Sequence, residues 1–382
     1  TASEDGQTKQ AIRMETLSGM ETLKSTGAEA VMRARWKAAV KNQSDSGGKG
    51  RLLVQSTINL TVLVQQIAQI AIVFYGVFLI RDGIVSMGAL IACVILTGKA
   101  LAPLGQVSQV LTRLHQATVA YRQVNAVMDA DVEREAGQRY LSRAKIAGRI
   151  ELKEVTFGYD EELGDVLKDV SLTIQPGEKV AIMGSVGSGK STLARLILGL
   201  YEPDQGTVLL DGLDSRAVDP ADRTRNIGAV LQDCWLFSGT LHENIVAGRF
   251  GVTDDEVHAK AKLATVDRLA ASHPHGYDLR LRENGAGISG GQRQSIALAR
   301  ALIGDPNCLV VDEPTSGMDV QTEARIVSNL QDWLTEDRTL ILVTHRTSLL
   351  RWVDRVIVLK DGAISFDGSK DQMMQIARKG AA

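Results

Sequence analysis

Cysteine is scarce in this chain, and the few thiols stand far apart. Cys93, Cys234 and Cys308 are the only ones among 382 residues, and no two of them form a Cys-x-x-Cys pair. A disulfide framework would need an even, clustered set of cysteines, and a zinc site would need closely spaced ones. The sequence therefore indicates neither kind of site, and the thiols fit a reducing cytosol.

An excess of charge of one sign is also missing. The chain has 43 Lys and Arg against 45 Asp and Glu, a net charge of −2, which gives no support to a nucleic-acid partner. No signal peptide and no initial methionine are visible, so we expect a fragment of a longer protein. The length exceeds one average domain, which predicts two or more units.

Charge disappears entirely over residues 58–80. At about 1.5 Å per residue, a helix of that length crosses the hydrocarbon core of a bilayer. Residues 81–83 make a polar turn, and a second apolar run at 84–104 is interrupted only by Lys99 and Pro103. Two membrane spans are therefore predicted. The alternative is a buried helical hairpin, which is disfavoured because adjacent uncharged runs of this length are uncommon in soluble cores.

Positive charge near these runs predicts their orientation. Residues 1–50 read as polar helix with many Lys and Arg, whereas the turn at 81–83 holds a single arginine. The positive-inside rule places the first region in the cytosol and the turn outside. Residues 106–129 continue as a cytosolic helix, so residues 1–130 form one membrane-helix region. Residues 131–148 are charged, contain two glycines and are predicted to be a linker.

Four amide side chains in and just before the first span share a helical face. They are Gln55, Asn59, Gln66 and Gln69. Amides are costly in lipid, so this face should line a wet pathway or the interior of a helix bundle. Hydrogen bonding between helices is an equal alternative.

From residue 149 to residue 382 the pattern changes to short β-rich runs separated by helical runs. Alternation of this kind predicts an α/β domain with a mainly parallel sheet. The predicted strands cover residues 150–157, 179–183, 207–210, 308–311, 339–344 and 355–359.

A glycine-rich motif lies between the strand at 179–183 and a helical run. It reads Gly184-Ser185-Val186-Gly187-Ser188-Gly189-Lys190-Ser191. Its glycines let successive backbone N–H groups point at phosphate oxygens, and the following helix adds the positive end of its dipole. Lys190 would reach the β- and γ-phosphates of a nucleotide, and Ser191 would bind Mg²⁺.

Two carboxylates, Asp312 and Glu313, follow the apolar run at 308–311. They would stand at the C-terminal end of a strand, where ligands bind in open α/β sheets. Asp312 fits as a partner of Mg²⁺, and Glu313 fits as the base that takes a proton from the attacking water. Alone, such a pair is more often a solvated strand end. After a phosphate-binding loop the catalytic interpretation is favoured.

These motifs, with Ile288-Ser289-Gly290-Gly291-Gln292 between them, resemble the ATP-binding cassette (ABC) ATPase family. The Ser-Gly-Gly-Gln element separates this family from other P-loop enzymes, and the resemblance covers the whole chain. It implies an α/β P-loop ABC ATPase domain with an antiparallel β subdomain and an α-helical subdomain. An all-α transmembrane fragment of the exporter type would precede that domain.

The resemblance implies further site residues. Tyr159 matches an aromatic ring that stacks on adenine, Gln232 matches a glutamine that senses Mg²⁺ and the attacking water, and His345 matches a histidine that contacts the γ-phosphate. The implied catalytic set is Glu313, His345, Gln232 and Lys190. The implied Mg²⁺ set is Ser191, Gln232 and Asp312. The implied ATP contacts within one chain are Tyr159, Gly184, Ser185, Val186, Gly187, Ser188, Gly189, Lys190, Ser191, Thr192 and Gln232.

A second anion site is expected at Ser289, because its hydroxyl and the following glycine N–H groups open a helical run. In the family this site closes over the ATP of a partner chain, so that a head-to-tail dimer shares two ATP molecules. The residues implied to act from the partner are Ser289, Gly290, Gly291, Gln292 and Asp319. Departures from the family pattern, at Cys234, Ile288, Gly317 and Met318, remove no catalytic group, so an active site is expected.

Softer stretches resemble the exporter branch and, within it, bacterial type I secretion ATPases that export RTX toxins and adhesins. The exporter-like stretches are residues 236–240 and 243–245, with Glu283 as an acidic contact to the membrane domain. The secretion-like stretches are residues 15–24, 218–222 and 273–278.

The resemblance implies export of a polypeptide across the bacterial inner membrane, driven by hydrolysis of Mg-ATP in the cytoplasm. Implied partners are a second copy or another ABC half, a periplasmic adaptor, an outer-membrane channel, the exported polypeptide and membrane lipid. One alternative is an exporter of lipid or drug-like molecules. A lower-ranked one is a soluble ABC ATPase of repair or translation, which would lack the two spans. A regulatory ABC protein without hydrolysis would lack Glu313 or His345, and both are present.

Overall fold

The computed structural model describes residues 2–130, 132–134, 137, 139–160 and 162–380. The chain forms two compact units, of which the first ends at residue 131 and the second begins at residue 132. All of the predicted linker except residue 131 therefore falls within the second unit, and residues 131, 135, 136 and 138 lie outside the described residues.

The described part of the first unit is helical. Its helices are α1 (Ala2–Ser18), α2 (Met20–Thr26), α3 (Glu29–Arg81) and α4 (Met87–Met128). Gly27, with a φ of 66°, ends α2 in the left-handed conformation, and its N–H donates to the carbonyl of Leu23. Ser86 caps α4 by accepting the N–H of Ala89 at 3.2 Å. Glycine and serine thus set the points at which the chain reverses.

Helices α3 and α4 pack closely at a glycine. A Cβ built on Gly76 would lie 2.3 Å from Cδ1 of Leu90, so a side chain at this position would require Leu90 to shift. Leu90 and Ala39 are the buried hydrophobic side chains in the described part of the first unit. Large apolar side chains elsewhere on α3, such as Ile70 and Phe74, are exposed.

The apolar part of α3 is long enough to cross a membrane. Ile58–Arg81 has a mean hydropathy of 2.0, and only 6% of its most apolar stretch is buried. In α4 the apolar stretch Met87–Ala100 begins three residues later than predicted, because residues 82–86 form the turn and the helix cap. The side chains of residues 101–104, which complete the predicted run, lie outside the described part of the chain. By length and composition, the stretch in α3 alone qualifies as a span among the described residues.

Residues 139–149, named here the connecting segment, contain no helix. They are held by hydrogen bonds and burial against the rest of the second unit. Leu141 forms a parallel bridge with Val218, and Ile146 is 2% exposed. Three side chains accept the backbone N–H groups of the segment: Asp211, Asp222 and Asn226. A stretch predicted as a linker from its composition is therefore held in place by distant residues.

The described part of the second unit contains the strands and shorter helices. In chain order they are β1 (Ile150–Phe157), β2 (Leu167–Ile174), β3 (Lys179–Gly184), α5 (Lys190–Ile197), β4 (Gln205–Leu210), β5 (Leu213–Asp214), α6 (Pro220–Asn226), β6 (Ile227–Val230), β7 (Gly239–Thr240), α7 (Leu241–Val246), α8 (Asp254–Leu263), α9 (Val266–Ala271), β8 (Arg280–Leu281), α10 (Gly290–Leu302), β9 (Cys308–Asp312), α11 (Val320–Trp333), β10 (Thr339–Val343), β11 (Arg355–Lys360), β12 (Ala363–Ser369) and α12 (Lys370–Gly380).

The strands form a six-stranded sheet and a four-stranded sheet, with a small ribbon of β7 and β8. The larger sheet has the order β12-β11-β3-β10-β9-β6 and is parallel except for β12. The smaller sheet is antiparallel, with the order β2-β1-β4-β5. This arrangement confirms the predicted α/β fold with an antiparallel β part and a helical part.

The larger sheet is buried on both faces, and its side chains alternate between two cores. Val310 and Ile341 pack with the smaller sheet and α5, whereas Leu309 and Leu342 pack with the helices of the opposite side. Covering both faces is the usual condition for a parallel sheet. Four of its strands, β3, β9, β10 and β11, therefore read as continuous apolar runs, which explains why they were predictable.

Strand β1 has the predicted bounds, and β3, β9, β10 and β11 each differ from prediction by one residue at the C-terminal end. Strands β2, β6 and β12 were not predicted. In β2 and β12 exposed polar residues interrupt the apolar ones, and β6 has only four residues. Their identity as strands depends on pairing with partners that local composition does not reveal.

Candidate nucleotide-binding site

Four neighbouring strands of the larger sheet end at one edge, and each delivers predicted site residues there. Ile182 of β3 pairs in register with Val343 of β10, and Val343 pairs in register with Asp312 of β9. On the far side of β9, Val311 pairs in register with Val230 of β6. The carboxyl edge of a parallel sheet is where ligands bind. It collects the P-loop after β3, Gln232 after β6, Asp312 and Glu313 at the end of β9, and His345 after β10.

The P-loop, residues 184–191, takes a path that glycine makes possible. Gly184 has a φ of 152°, and a Cβ there would lie 2.3 Å from the carbonyl oxygen of Leu359. Gly189 has a φ of 96° and is the N-cap residue of α5. Larger residues would strain the backbone or clash at both positions, so the motif fixes the shape of the loop.

The concave side of the loop has the properties of an anion site. The Lys190 ammonium donates to the carbonyls of Gly184 at 3.0 Å and Ser185 at 2.7 Å. Ser188 is 2% exposed, yet its hydroxyl has no hydrogen-bond partner within the described residues. Buried polar atoms are normally paired. A cation and an unpaired buried hydroxyl at a helix N-terminus therefore fit a phosphate group.

Asp312 supplies the oxygen donor next to this loop. Burial raises the pKa of Asp312, while a hydrogen bond from Ser191 and the charges of Arg195 and Lys190 act in the opposite direction. Its Oδ1 is buried and has no hydrogen-bond partner in the described part of the chain. A carboxylate oxygen beside a serine hydroxyl suits Mg²⁺, which takes one or two protein oxygens together with substrate phosphates. The described residues contain no cluster of three His, Cys, Asp or Glu for a fully protein-bound metal.

Glu313 is held in an unusual backbone conformation and is paired with His345. Its φ is 48°, a region that non-glycine residues rarely adopt, and its N–H donates to the carbonyl of Val343 at 2.9 Å. The side-chain Oε1 lies 2.9 Å from Nδ1 of His345. The family resemblance implied that His345 contacts phosphate, and the structure adds this direct contact with the predicted base. Strain of this kind often marks a functional position.

Tyr159 lies at the opposite side of the P-loop helix. Its hydroxyl is 3.1 Å from Oγ1 of Thr192 and accepts from Nη1 of Arg195 at 2.8 Å. Its ring meets the rings of Phe157 and Tyr201 edge to face, and the residue is 44% exposed. The ring is thus fixed in orientation yet open to solvent, which suits stacking on a base.

The Ser289 element caps α10. The Ser289 hydroxyl accepts the N–H of Gln292 at 3.2 Å, and Oε1 of Gln292 accepts the N–H of Ser289 at 2.8 Å. This reciprocal capping box orders the helix N-terminus. Asp319 caps α11 by accepting two backbone N–H groups at 2.9 Å, and hydrogen bonds from Thr322 lower the pKa of Asp319. Both caps line one cavity of about 230 Å³.

The structure therefore divides the predicted site residues into two groups. The P-loop, Asp312, Glu313, His345 and the exposed Gln232 share the sheet edge. Within the described residues, no hydrogen bond or ion pair joins Ser289–Gln292 or Asp319 to that group. The cavity that Ser289 and Asp319 line contains none of the residues of the first group in its lining.

Two residues beside the site were not predicted. Arg195 holds Tyr159 through the hydrogen bond at 2.8 Å, and Gln294 is a 6% exposed amide on α10. A polar residue on the apolar face of a helix is the sequence signal for Gln294. Motif order carried no signal for Arg195, because its partner is 36 residues away in the chain.

Comparisons with known proteins agree with this geometry. The family described as ABC transporter matches residues 167–316, and the ABC transporter transmembrane region matches residues 7–102. A solved structure titled "Structure of a bacterial Atm1-family ABC exporter with ATP bound" is similar with a TM-score of 0.86 and 28% identity. The match covers 98% of this chain and 67% of that one.

Curated relatives include two toxin-secretion proteins. The cyclolysin secretion/processing ATP-binding protein CyaB of Bordetella pertussis is 34% identical over 369 residues, covering 97% of this chain and 51% of that protein. The leukotoxin translocation ATP-binding protein LktB of Mannheimia haemolytica is 34% identical over 366 residues, covering 96% of this chain and 51% of that protein. The chain thus spans about half the length of these relatives.

Proposed function

This chain is an ABC transporter with a membrane region and an ATPase domain, and we propose that it hydrolyses ATP to export a polypeptide across the bacterial inner membrane. The observation that carries the ATPase is the convergence of the P-loop, Asp312 and the Glu313–His345 pair at one sheet edge. The observation that supports a polypeptide cargo is the similarity to two toxin-secretion proteins over nearly the whole chain.

ATP binding follows from the P-loop and Tyr159. Tyr159 stacks on the adenine, while Lys190 turns from the loop carbonyls to the phosphates. Gly184–Ser191 and Thr192 surround the phosphates with N–H and O–H donors. Mg²⁺, when bound, neutralises phosphate charge, and Ser191, Asp312 and Gln232 are the residues that would hold it.

Glu313 is the general base. Its carboxylate accepts a proton from the water that attacks the γ-phosphate. His345 keeps Glu313 in place through the contact at 2.9 Å. Gln232, exposed at the same edge, orients the water.

Hydrolysis needs two chains. The Ser289–Gln292 element offers an anion site at the N-terminus of α10, and Asp319 lines the same cavity. Both therefore act on the ATP of a partner chain in a head-to-tail dimer. ATP thereby becomes part of the interface and promotes closure, and its hydrolysis releases the two ATPase domains. The partner is a second copy of this chain or a different ABC half.

The ATPase domain lies in the cytoplasm, and the membrane region crosses the inner membrane. A periplasmic adaptor and an outer-membrane channel complete the route for the polypeptide. Export of lipid or drug-like molecules is the second candidate, because the fold is shared over 98% of this chain with an Atm1-family ABC exporter whose title names no polypeptide cargo. A soluble ATPase of repair or translation is no longer a candidate, since residues 7–102 match a transmembrane region.

Cargo stimulation of ATP hydrolysis tests the proposal. The chain is reconstituted in lipid nanodiscs and its ATPase rate is measured with unfolded RTX-type polypeptides, with added phospholipid and with amphipathic drugs. The proposal expects stimulation by polypeptide and little by the other two. Stimulation by lipid or drug alone favours the second candidate, and no ATP hydrolysis with any addition contradicts both.

A further inference from the structure

Gln294 is a buried side chain of α10 whose amide is fully engaged. Its Nε2 donates to the carbonyl of Glu313 at 3.2 Å and to Oγ of Ser316 at 2.6 Å. Its Oε1 accepts the N–H of Gly317 at 2.9 Å. One side chain therefore binds the peptide after Glu313 and the loop that follows it.

The contact with Glu313 acts on a strained residue. The φ of 48° at Glu313 is unfavourable for any side chain with a Cβ. The N–H of Glu313 is bound by Val343 and its carbonyl by Gln294. Both sides of the residue are therefore fixed by hydrogen bonds, and Gln294 supplies the one that comes from a helix.

That same helix begins at the Ser289 element, and its first turn touches the loop directly. A Cβ built on Gly291 would lie 2.8 Å from the carbonyl oxygen of Gly317. A Cβ built on Gly317 would lie 3.2 Å from the backbone N of Gly291. Backbone thus packs on backbone here, so the helix start and the loop at 316–319 cannot move independently.

We propose that Gln294 is a positioning residue that holds Glu313 and the Ser289 helix start in one arrangement, so that each chain presents its own base and its partner-facing anion site together. The inference rests on the proposed function, in which Glu313 serves the chain's own ATP and Ser289 serves the partner's. Gln294 itself acts only through these groups.

The test is Gln294→Met, which keeps the length of the side chain and removes both Oε1 and Nε2 of the amide. In the full chain reconstituted in lipid, kcat for ATP should fall about tenfold while KM stays within about twofold, because the P-loop is untouched. Ser316→Ala removes one of the three partners of Gln294 and should lower kcat about threefold, again with little change in KM.

Asn329→Leu is the matched control. Asn329 is also an amide bound to backbone, donating to the carbonyls of Lys262 and Leu263 at 3.2 Å, but it joins α11 to α8 away from the site. Asn329→Leu should lower the thermal midpoint and leave kcat unchanged. A Gln294→Met enzyme with the kcat of Asn329→Leu overturns the inference. So does a KM that rises as much as kcat falls. If Gln294→Met fails to fold, an unchanged kcat in Ser316→Ala overturns it.

A double-mutant cycle examines the link to the partner-facing surface. Because Gln294→Met disturbs the Ser289 helix start, Ser289→Ala should cost less in that background than in the wild type. Multiplicative losses in kcat would show independent action and overturn the link. An inactive wild type, or a Glu313→Gln enzyme with the wild-type rate, would overturn the proposed function together with this inference. An active, Glu313-dependent wild type isolates the inference.

Discussion

The two units of the chain differ in the solvent exposure of their large apolar side chains. In the first unit Leu60 is 61% exposed and Phe74 is 67% exposed, whereas in the second unit Leu193 and Ile341 are 0% exposed. Burial of apolar area from water is the main favourable term in folding. The second unit therefore has an internal source of stability, and the first must obtain its stability from lipid and from neighbouring helices.

Buried polar groups show the same division. Ser188, Asp312, Gln294 and Glu323 are buried in the second unit, and the first three lie at or beside the edge where the predicted ATP residues converge. Residues 58–80 of the first span instead carry no charge, and their amides include Asn59, Gln66 and Gln69. The difference indicates that the proposed ATP chemistry is confined to residues of the second unit.

Replacing Glu313 should give the largest effect and tests this confinement. Glu313→Gln keeps the shape of the side chain but cannot accept a proton, so kcat for ATP should fall roughly 10²-fold or more. It should also trap an ATP-bound closed dimer, detected by size exclusion of the segment 132–382, which is the whole second unit. Gln66→Ala, in the first unit, is the control and should leave basal hydrolysis unchanged.

A wild-type rate in Glu313→Gln, with no trapped dimer, would contradict both the base assignment and the shared site. Mixing two defective chains sharpens the result. Ser289→Arg damages the surface offered to the partner, and Lys190→Ala damages the chain's own P-loop. A shared site predicts that the mixed dimer retains one complete site and recovers activity. Sites confined to single chains predict no recovery.

The sequence was most informative where function depends on consecutive residues. The P-loop, Asp312-Glu313 and the Ser289 element are short motifs, and the parallel strands that carry them are continuous apolar runs. The connecting segment could not be predicted, because Asp222 and Asn226, which bind it, are about 80 residues away in the chain. The role of Gln294 was not predicted for a similar reason, because its hydrogen-bond partners are brought close to it only when β9 and α10 pack together.

The connecting segment gives the second prediction. A protein starting at residue 149 loses the burial of Ile146 and the backbone N–H groups that Asp222 and Asn226 accept, and Asp211 loses two of the three that it accepts. It should be less stable than a protein of residues 132–382 by about 3 kcal/mol, the combined scale of one buried apolar side chain and unpaired polar groups. Chemical denaturation of the two segments, with equal m-values, measures the difference.

A protein starting at residue 139 is the control for that comparison. It loses the ion pair between Glu133 and Arg223, at 2.6 Å, but retains the connecting segment. Its stability should lie close to that of the 132–382 protein. Equal stability of all three segments would show that the connecting segment is a free linker, as its composition predicts.

Asp305 provides a smaller effect that depends on pH. Burial raises its pKa, but hydrogen bonds from Lys260, Arg338 and Trp333 outweigh this and lower the pKa of Asp305 from 3.8 to about 2. A lowered folded-state pKa stabilises the protein above about pH 4, and this stabilisation is lost as the pH falls towards 2. Because the Asp305 side chain is 52% exposed, we discount for solvent screening and expect Asp305→Asn to cost about 1 kcal/mol at pH 7.

Urea titrations at pH 7 and pH 2.5 measure that cost, which should shrink at the lower pH. Lys24→Ala is the control from the first unit. Its ion pair with Glu29 is exposed on both sides, at 69% and 44% of the side chains, and should contribute nothing measurable. A constant cost of Asp305→Asn between the two pH values would show that its hydrogen bonds do not depend on the charge.

The amides of the first span give the finest distinction between the units. Nε2 of Gln65 lies 3.5 Å from the carbonyl of Gly98 on α4, and Nε2 of Gln69 lies 3.3 Å from a Cβ built on the same glycine. Gln66, between them, is exposed. Amides that pack against a neighbouring helix hold the two helices together by hydrogen bonds, whereas an amide exposed at membrane depth needs water or another polar partner.

We therefore expect Gln66→Cys to react with a water-soluble thiol reagent during ATP turnover, and Gln69→Cys to react much more slowly. Labelling is compared in a chain whose Cys93 is replaced by Ser. Equal protection of both cysteines in every nucleotide state would assign Gln66 to helix packing as well, and the first unit would then carry no wet pathway along this face.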